Sequence, residues 1–535
     1  MRTYLITLAL LISATAFTQP RINRLSSIIN HPAINVSSPF VSMDGNSLLY
    51  ISDNAEDNAL AIFYSTKPDG VNWKDPVLLP KHINTRLNYL RGFALSPDGR
   101  QLFVTSMKGG GLGGYDMYVA DLKGTYWSDL VNVGLPVNSP GNDACPSFTP
   151  DGLTMYFMRC VKMNATVADG CKLWVAKRKT LTDRWGAAEE LPASINTGNS
   201  QTPRIMGDAE TLIFSSNVIN AGKGGMDLFV TRFIGGTWSK PEPLAFANTP
   251  GEDQFVSASS LGRYLMKDAP GKATTEIVEM LFPPEVKPKG VMKLEAKISG
   301  PENPSAAYVS VWDKKMQTRL HNVRPSADGS VTVYLKEGAV YTLAVDPEKD
   351  NFSYATREFD LTQEKFNSRE RVSIELKPVA SGDAWELADV AFKPYTGELL
   401  PESQWELRKL IRMMNGNPTT KFTIDVSMLG YREDSIQRDA DLTEVITDTL
   451  RVPVVKIETD TTQLNADSTF VTREITYDSM VVKSRYHNDR TPHMVLELVN
   501  YLVAQGVEAG RLFPTHSAQP VAMPEKKLLV KVTAR

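Results

Sequence analysis

A pattern with a period of about 54 residues organises the first half of this chain and constrains its fold more than any other feature. Its aspartates follow one another at steps of 54, 53 and 57 residues. They stand in Met43-Asp44-Gly45, Pro97-Asp98-Gly99, Pro150-Asp151-Gly152 and, more weakly, Gly207-Asp208-Ala209. Asp and Gly both tolerate the positive φ of a tight turn, so each triplet predicts a turn that opens a short strand.

A tail that begins with tryptophan recurs in the same phase and ends at an asparagine. The pairs are Trp73 and Asn84, Trp127 and Asn138, Trp185 and Asn196, and Trp238 and Asn248. Four short strands in each period are typical of a blade of a β-propeller. Because the tryptophans and the Asp-Gly pairs return in every repeat, we interpret them as packing and turn residues rather than ligand contacts.

The two ends of the repeat region predict how the propeller closes. An Ile34-Asn35 pair precedes the first repeat, while Asp253 to Pro283 offers three strands and no tryptophan tail. We therefore predict that a strand from Leu25 to Asn35 completes the last blade, which removes an exposed sheet edge. This gives a five-bladed propeller over residues 21–285, and six blades are the alternative if the blade boundaries differ.

The Asp-Gly triplets and tryptophan tails resemble the Pro-Asp variant of the WD propeller repeats, which also occurs in TolB-like periplasmic proteins. The resemblance implies a fold, and one fold carries many functions. A catalytic site would need inward-facing acids and a base that depart from the repeat, and none stands out. We therefore predict that the protein is not an enzyme and takes no cofactor.

Composition bears on three further kinds of site. Lys and Arg number 58 against 61 Asp and Glu, a net charge of −3, and no basic cluster suits nucleic-acid phosphates. The six histidines are scattered, so no metal site is predicted. Cys160 and Cys171 lie 11 residues apart across a predicted hairpin and are expected to form a disulfide, which leaves Cys145 outside it.

Residues 1–18 have the pattern of a cleaved signal peptide. Arg2 supplies a positive charge, Tyr4 to Phe17 is apolar, and Ala14-Thr15-Ala16 is a small-residue cleavage site. No run reaches the roughly 18 apolar residues that a transmembrane helix needs. We expect an exported protein without a transmembrane segment, either periplasmic or associated with the outer membrane.

Residues 290–378, after a proline-rich linker, predict a small β-sandwich. Alternating runs include Tyr308 to Trp312 and Tyr341 to Val345. The stretch from Asp328 to Leu343 resembles the carboxypeptidase-regulatory fold. That resemblance implies a spacer or an interaction surface.

Residues 384–535 change to an α/β pattern. The sequence predicts a helix through Leu407 and Met414, a strand from Phe422 to Val426, a helix from Val495 to Val507, and closing strands near Leu512 and from Lys527 to Thr533. Leu400-Pro401-Glu402-Ser403 and Val499-Asn500-Tyr501-Leu502 carry a resemblance to the OmpA C-terminal domain, which binds peptidoglycan.

The ligand-binding positions of that family differ in this chain. By the resemblance, an Asp after the second strand and an Arg opening the second helix hold the zwitterion of diaminopimelate, and the aligned residues are Tyr431 and Met494. Lys526 and Lys527 replace part of an Asn-Arg-Arg run. Because a phenol and a thioether cannot form the two charge-assisted bonds, we expect the fold retained and the pocket lost. An altered pocket of Tyr431, Lys526 and Lys527 that still binds peptidoglycan is the alternative.

An insertion at about residues 432–490 predicts a long hairpin with strands at Val452 to Ile457 and Phe470 to Tyr477. It also contains Asp-Ser and Asp-Thr triplets that resemble the O-glycosylation acceptors of the bacterial phylum that uses type IX secretion. The acceptor hydroxyls would be those of Ser435, Thr449, Thr461, Ser468 and Ser479. The alternative is a solvated polar hairpin rich in turn formers.

The order of the segments resembles an envelope family that includes a type IX secretion accessory protein. It implies a multidomain, mainly β protein with a five-bladed propeller, a small β-sandwich and an α/β OmpA-like domain. We expect a cell-envelope protein whose propeller docks envelope proteins of an outer-membrane complex, in type IX secretion or outer-membrane assembly. A peptidoglycan tether is the alternative, and a propeller enzyme that acts on glycans is a third hypothesis.

Overall fold

The computed structural model describes residues 21–54, 60–84, 92–164, 166–217, 223–300, 303–347, 351–363, 365–429, 444–487, 489–519 and 527–535, with the backbone alone for 444–450, 481–487, 518–519 and 527. Strands take 47% and helices 8% of the chain, so the prediction of a mainly β protein is confirmed. The contacts divide the chain into two compact units. Unit 1 comprises Met1–Glu295, Thr332–Ala339 and Asp360–Arg371, and unit 2 comprises Ala296–Val331, Val340–Phe359 and Val372–Arg535.

The repeat region of unit 1 consists of short antiparallel strands. In chain order they are β1 (Ile22–Arg24), β2 (Val36–Val41), β3 (Ser47–Ser52), β4 (Ala61–Thr66), β5 (Val77–Leu78), β6 (Phe93–Leu95), β7 (Gln101–Ser106), β8 (Asp116–Lys123), β9 (Tyr126–Trp127), β10 (Val131–Asn132), β11 (Asn142–Phe148), β12 (Thr154–Cys160), β13 (Lys162–Met163), β14 (Ala168–Asp169), β15 (Lys172–Lys177), β16 (Glu189–Glu190), β17 (Gln201–Ile205), β18 (Thr211–Ser216), β19 (Asp227–Ile234), β20 (Thr237–Trp238), β21 (Glu242–Pro243), β22 (Tyr264–Pro270) and β23 (Thr275–Leu281).

Each period of the sequence forms one antiparallel sheet. Within the described residues, the main sheets group β2–β5, β6–β10, β11 with β12, β15 and β16, β17–β21, and β1 with β22 and β23. Hydrogen bonds link the first strands of successive sheets, since the amide of Ile205 donates to Oγ of Ser147 at 3.0 Å. The amide of Val41, in the first of these sheets, donates to Oγ of Ser257 at 2.9 Å, beside the last.

The recurring asparagines stabilise the third strand of each sheet. Oδ1 of Asn196 accepts the amide of Leu173 at 2.8 Å, and Nδ2 donates to the carbonyl oxygens of Leu173 and Leu191 at 3.1 and 3.0 Å. Asn84, Asn138 and Asn248 make the equivalent pair of bonds to Ile62, Met117 and Leu228. The asparagine side chain supplies a donor and an acceptor to backbone groups of the third strand that the short outer strand does not pair. This explains why the residue recurs.

The N-terminal strand completes the last sheet, but at different residues from those predicted. The strand that pairs with β23 is β1, with Ile22 opposite Met280, while residues 25–35 contain turns. The asparagine in the repeat position is Asn30, whose Oδ1 accepts the amide of Ile277 at 2.8 Å and whose Nδ2 donates to its carbonyl at 2.9 Å. Asn35 is exposed. Its Nδ2 donates to Oδ2 of Asp53, and its Oδ1 accepts the amide of Thr275.

One residue near the start of each repeat sheet has a positive φ. These residues are Ser38 at 52°, Gly92 at 82°, Cys145 at 58°, Thr202 at 47° and Phe255 at 51°. In β2, β11 and β17 the pairing register shifts at this point, as in a β-bulge. Glycine is needed at position 92, because a Cβ there would lie 2.7 Å from Sγ of Cys145.

The Asp-Gly turns show one departure from the repeat that can be tested. Gly45, Gly99 and Gly152 have φ of 76°, 73° and 69°, and Ala209 holds the same position in the fourth turn with a φ of 57°. A Cβ is disfavoured in this region of the backbone. We expect Ala209→Gly to raise the free energy of unfolding by about 0.5–1 kcal/mol, measured by urea denaturation.

Gly99 offers the mirror-image control for that substitution. A Cβ at Gly99 would meet nothing within 4 Å, so Gly99→Ala tests the backbone alone. We expect it to lower the free energy of unfolding by about 1 kcal/mol. Changes of the same sign in both variants would contradict the explanation.

The middle of the chain forms two further sheets. Its strands are β24 (Val291–Ser299), β25 (Ala307–Asp313), β26 (Thr318–Val323), β27 (Ser330–Lys336), β28 (Val340–Pro347), β29 (Ala355–Asp360) and β30 (Arg369–Glu375). The sheet orders are β27-β24-β30 and β26-β25-β28-β29. The residues of β24, β27, β29 and β30 are divided between the two compact units.

The C-terminal part of unit 2 is an α/β layer. Its elements are β31 (Ala384–Glu386), α1 (Gln404–Gly416), β32 (Phe422–Leu429), β33 (Glu444–Leu464), β34 (Phe470–His487), α2 (Thr491–Ala504), β35 (Leu512–Gln519) and β36 (Lys527–Ala534), and short 3-10 helices lie at Pro401–Ser403 and Ala509–Arg511. A further 3-10 helix, Pro304–Ala306, precedes β25. The sheet order is β31-β36-β32-β35, with β32 parallel to β35 and antiparallel to β36. The strands β33 and β34 form a separate two-stranded ribbon.

One apolar core holds the two helices to this sheet. Leu407, Leu410 and Met414 of α1 are fully buried at helical spacing, and Ile424 and Val426 are buried at alternate positions of β32. Of the described helices, none is long and apolar enough to cross a membrane.

Candidate functional site

The Asp-Gly turns of unit 1 border a groove of about 540 Å³, which we call the turn-face groove. Its lining includes Asp44, Tyr64, Val77, Leu78, Pro97, Asp98, Tyr126, Trp127, Lys293, Tyr334 and Arg369, all in unit 1. The turns hold their carboxylates in place through the preceding hydroxyls. Ser42 Oγ donates to Asp44 Oδ1 and Ser96 Oγ donates to Asp98 Oδ1, each at 2.6 Å.

One wall of the turn-face groove is apolar and exposed. Val77 and Tyr126 are each 63% exposed, and Leu78 is 40% exposed. Trp127 lies half-buried beside them, and Nε2 of His82 is 3.0 Å from its carbonyl oxygen. Single exposed apolar side chains are ordinary, but several around one concave surface are typical of a binding site.

The positively charged part of the groove lining belongs to a cluster of one carboxylate and three cations, which we call the Glu295 cluster. Nε and Nη2 of Arg369 donate to the two oxygens of Glu295 at 2.8 Å each, Nε of Arg371 lies 3.1 Å away, and Nζ of Lys293 lies 3.0 Å away. Partial burial would raise the pKa of Glu295, but the hydrogen bonds from Lys293, Arg369 and Arg371 outweigh it and lower the pKa to about 2. The cluster keeps two positive charges in excess, so this end of the groove suits an anionic group.

Tyr334 lines both the turn-face groove and a second cavity of about 600 Å³, whose lining also includes Asp98 and Asp151. Burial raises the pKa of Tyr334, and the negative charges of Asp151 and Asp98 raise it further. The phenol therefore stays protonated at neutral pH and offers a hydrogen-bond donor. Together the walls can hold an extended ligand that combines apolar groups with a charged one.

The Glu295 cluster predicts a pH dependence of stability. A carboxyl group whose pKa falls from 4.5 to about 2 on folding stabilises the protein above pH 4.5, and this contribution is lost as the pH falls towards 2. We expect Glu295→Gln to lower the melting temperature at pH 7 by a margin that narrows as the pH falls, measured by calorimetry. Glu189→Gln, at an exposed position of β16, is the control. A difference in melting temperature between wild type and Glu295→Gln that does not change with pH would contradict the lowered pKa of Glu295.

Of the four residues aligned with the OmpA pocket, only Met494 has a side chain within the described structure. Met494 is fully buried in the core side of α2. Arg490 instead opens that helix, is 2% exposed, and donates from Nη1 to the carbonyl of Lys393 at 2.9 Å. Tyr431 and Lys526 lie outside the described residues, and the backbone of Lys527 begins β36.

The remaining sequence-predicted positions have simple surroundings. Cys160 and Cys171 form a disulfide beside β12 and β15, and Cys145 is buried. Thr461 and Ser468 are exposed, Ser479 is half-buried, Thr449 contributes backbone to β33, and Ser435 lies outside the described residues. Oδ1 of Asp467 accepts the amide and hydroxyl of Thr469 at 3.2 and 2.6 Å, a turn geometry that such triplets adopt without any sugar. Glycosylation stays a prediction.

The tryptophan tails show where sequence reasoning missed the groove. Trp73 is buried, Trp185 stacks under Arg178 at 4.4 Å, and Trp238 packs on Phe233 at 5.2 Å, which fits the packing interpretation. Trp127 contributes to the groove, and the exposed apolar pair Val77-Leu78 was the available signal beside it. Across the described chain, no group of three or more His, Cys, Asp and Glu side chains could hold a metal ion.

No family model matches the chain, and no curated protein does. Solved structures do match. A TolB-like protein from Agrobacterium tumefaciens is 16% identical, with 46% of this chain and 80% of that chain covered and a TM-score of 0.29. An oligogalacturonate lyase from Vibrio parahaemolyticus is 11% identical (51% and 96% covered, TM-score 0.30), and an alpha-L-arabinofuranosidase from Lactobacillus brevis is 12% identical (50% and 97%, 0.34). These neighbours are β-propeller-like proteins.

The prediction that the protein is not an enzyme is corrected by this comparison. That prediction assumed that the propeller serves only to dock other proteins. The neighbours include a lyase and an arabinofuranosidase with propeller folds. The absence of an acid and a base that depart from the repeat is therefore no ground for excluding catalysis. At these identities and TM-scores the neighbours carry no activity over to this chain.

Proposed function

We propose that this chain is an exported cell-envelope protein whose repeat sheets are the five blades of a propeller, and that the turn-face groove docks an extended segment of an envelope partner. The signal-peptide pattern of residues 1–18, which lie outside the described part, supports export. The agreement of one sheet with each sequence period supports the blade count. In this proposal the partner belongs to an outer-membrane complex.

The observation that carries the proposal is the exposed apolar wall of the turn-face groove. Val77, Leu78 and Tyr126 remain in contact with solvent around a cavity of about 540 Å³, where a partner's apolar side chains would remove them from water. A small polar ligand would not need this wall. We infer that the partner segment places apolar side chains on it and an acidic group near Arg369.

The docking proposal is tested by site-specific photo-crosslinking in cells that make the protein. A benzophenone side chain at Tyr126 is expected to yield one discrete protein adduct in the envelope fraction. The control is the same side chain at Thr237, which precedes Trp238 as Tyr126 precedes Trp127 but does not line the groove. Val77→Asp, at an exposed site, should reduce the Tyr126 adduct at least about tenfold by placing a charge on the apolar wall.

Two results would overturn the docking proposal. One is an equal pattern of adducts at positions 126 and 237, which would indicate non-specific proximity. The other is recovery of the full-length chain, with residues 1–18 still attached, from the cytoplasm alone.

The burial of Met494 supports docking over the alternative of a peptidoglycan tether. An arginine that binds a ligand carboxylate must reach solvent, whereas Met494 faces the core and Arg490, which opens α2, is 2% exposed. We expect the full chain to stay in the supernatant when insoluble peptidoglycan is sedimented. Sedimentation with the cell wall would favour the tether. Introducing arginine at position 494 is not a suitable test, because it would bury a charge.

A further inference from the structure

The first strands of the repeat sheets line a third, much smaller cavity, which we call the first-strand cavity. Its volume is about 30 Å³, and its lining includes Phe40, Leu95, Ser147, Arg204 and Ser257. All of these residues belong to unit 1. A cavity of this size holds one particle of about the size of a water molecule.

Arg204 brings an uncompensated charge to the first-strand cavity. It is 7% exposed, its guanidinium lies 4.9 Å from the ring centre of Phe40, and Nε donates to the carbonyl of Val256 at 3.0 Å. Nη1 has no hydrogen-bond partner among the described residues. An arginine side chain stays charged in a protein, so a buried guanidinium needs a counter-charge.

The surroundings of Arg204 offer donors rather than acidic groups. Within the described part of the chain, no Asp or Glu lines the first-strand cavity. Oγ of Ser147 accepts the amide of Ile205 and so retains its proton to donate, whereas Oγ of Ser257 accepts the amide of Val41 and already donates to the carbonyl of Val41 at 3.5 Å. Burial lowers the pKa of Arg204, and a negative charge at Cys145 would oppose this lowering.

We propose that the first-strand cavity binds one small monovalent anion, with chloride as the natural occupant. The anion would accept from Nη1 of Arg204 and from the hydroxyl of Ser147. A water molecule of the same size would satisfy the hydrogen bonds but would leave the positive charge of Arg204 without a counter-charge. Because these residues come from different sheets, the anion would hold the first strands together.

Anomalous diffraction from crystals soaked in sodium bromide tests the site directly. The expected result is a bromide peak in the first-strand cavity beside Nη1 of Arg204. Crystals of Arg204→Met should lack the peak, since the variant keeps the length of the side chain and removes the charge. A water in the cavity without bromide, or a peak that persists in Arg204→Met, overturns the proposal.

A solution measurement keeps the test independent of crystals and of the folding of that variant. In the wild type, we expect the melting temperature in sodium chloride to exceed that in sodium gluconate of equal ionic strength by about 2–4 °C. Arg178→Met is the matched control, because Arg178 also stacks on an aromatic ring but donates to the carbonyls of Gly152 and Leu181. It should retain the chloride effect, and Ser147→Ala should reduce it. No difference between the two salts in the wild type contradicts the proposal.

Discussion

Replacement of Asn196 by alanine is expected to lower the free energy of unfolding by about 3 kcal/mol. The amide side chain is buried and makes three bonds to backbone groups, to the amide of Leu173 and to the carbonyls of Leu173 and Leu191. Alanine leaves the buried amide of Leu173 without its partner. The cost arises because a buried donor loses its bond and gains no water in exchange. Urea denaturation followed by tryptophan fluorescence measures it.

Asn35 supplies the control for this prediction. It belongs to the Ile-Asn pair that the sequence singled out, but its side chain is exposed and bonds Asp53 and Thr275 at the surface. We expect Asn35→Ala to change the free energy of unfolding by about 0.5 kcal/mol or less. Asn30→Ala should match Asn196→Ala. If Asn35→Ala were as costly as Asn30→Ala, the assignment of Asn30 to the repeat would be wrong.

The second large effect is expected at Lys267. Its ammonium group bonds Asp253 and, at 2.8 Å, the carbonyl of Ala247, and the two side chains of the ion pair are 6% and 3% exposed. Lys267→Met leaves the carboxylate of Asp253 buried with no cation beside it. Removing one member of a buried pair costs about 3–5 kcal/mol, which we expect as the loss of stability in urea.

Two further variants separate the charge from the loss of packing. Asp253→Asn combined with Lys267→Met removes both charges and should recover part of the loss, with a coupling of about 1–3 kcal/mol. Lys172→Met removes a cation 3.5 Å from Glu190 where both side chains are 44% exposed, and it should change stability by about 0.5 kcal/mol or less. Equal effects at positions 172 and 267 would show that burial does not control the cost.

The spacing of the repeat was sufficient to predict that Asn30, and not Asn35, occupies the repeat position at the N-terminus. In the repeats, Asp98 follows Asn84 by 14 residues, and Asp208 follows Asn196 by 12. Asn30 precedes Asp44 by 14 residues, whereas Asn35 precedes it by 9. The phase of the repeat therefore identified Asn30. The Ile-Asn pair at residues 34–35 has a similar sequence but lies out of phase with the repeat.

The turn-face groove is a site that no local pattern could have assembled. Tyr126 and Trp127 come from one repeat and Val77 from another, while Tyr334 and Arg369 come from segments more than 200 residues later. The sequence shows that such side chains exist, but only the path of the backbone decides which of them share one surface.

Met494 is a position where the sequence did predict a functional change. Alignment predicted the loss of a charged ligand contact there, and the structure adds that the position lies in the core.

By itself the sequence determined the mainly β character of the protein, the period of its sheets and the turns that open them, because these depend on residues close together in the chain. The tertiary structure alone decided that Arg204 is buried against Phe40 and Val256, that Asp253 pairs with Lys267, and that the apolar wall of the groove is left exposed. Burial and charge compensation are set by distant residues, and their energies depend on surroundings that a linear pattern does not contain.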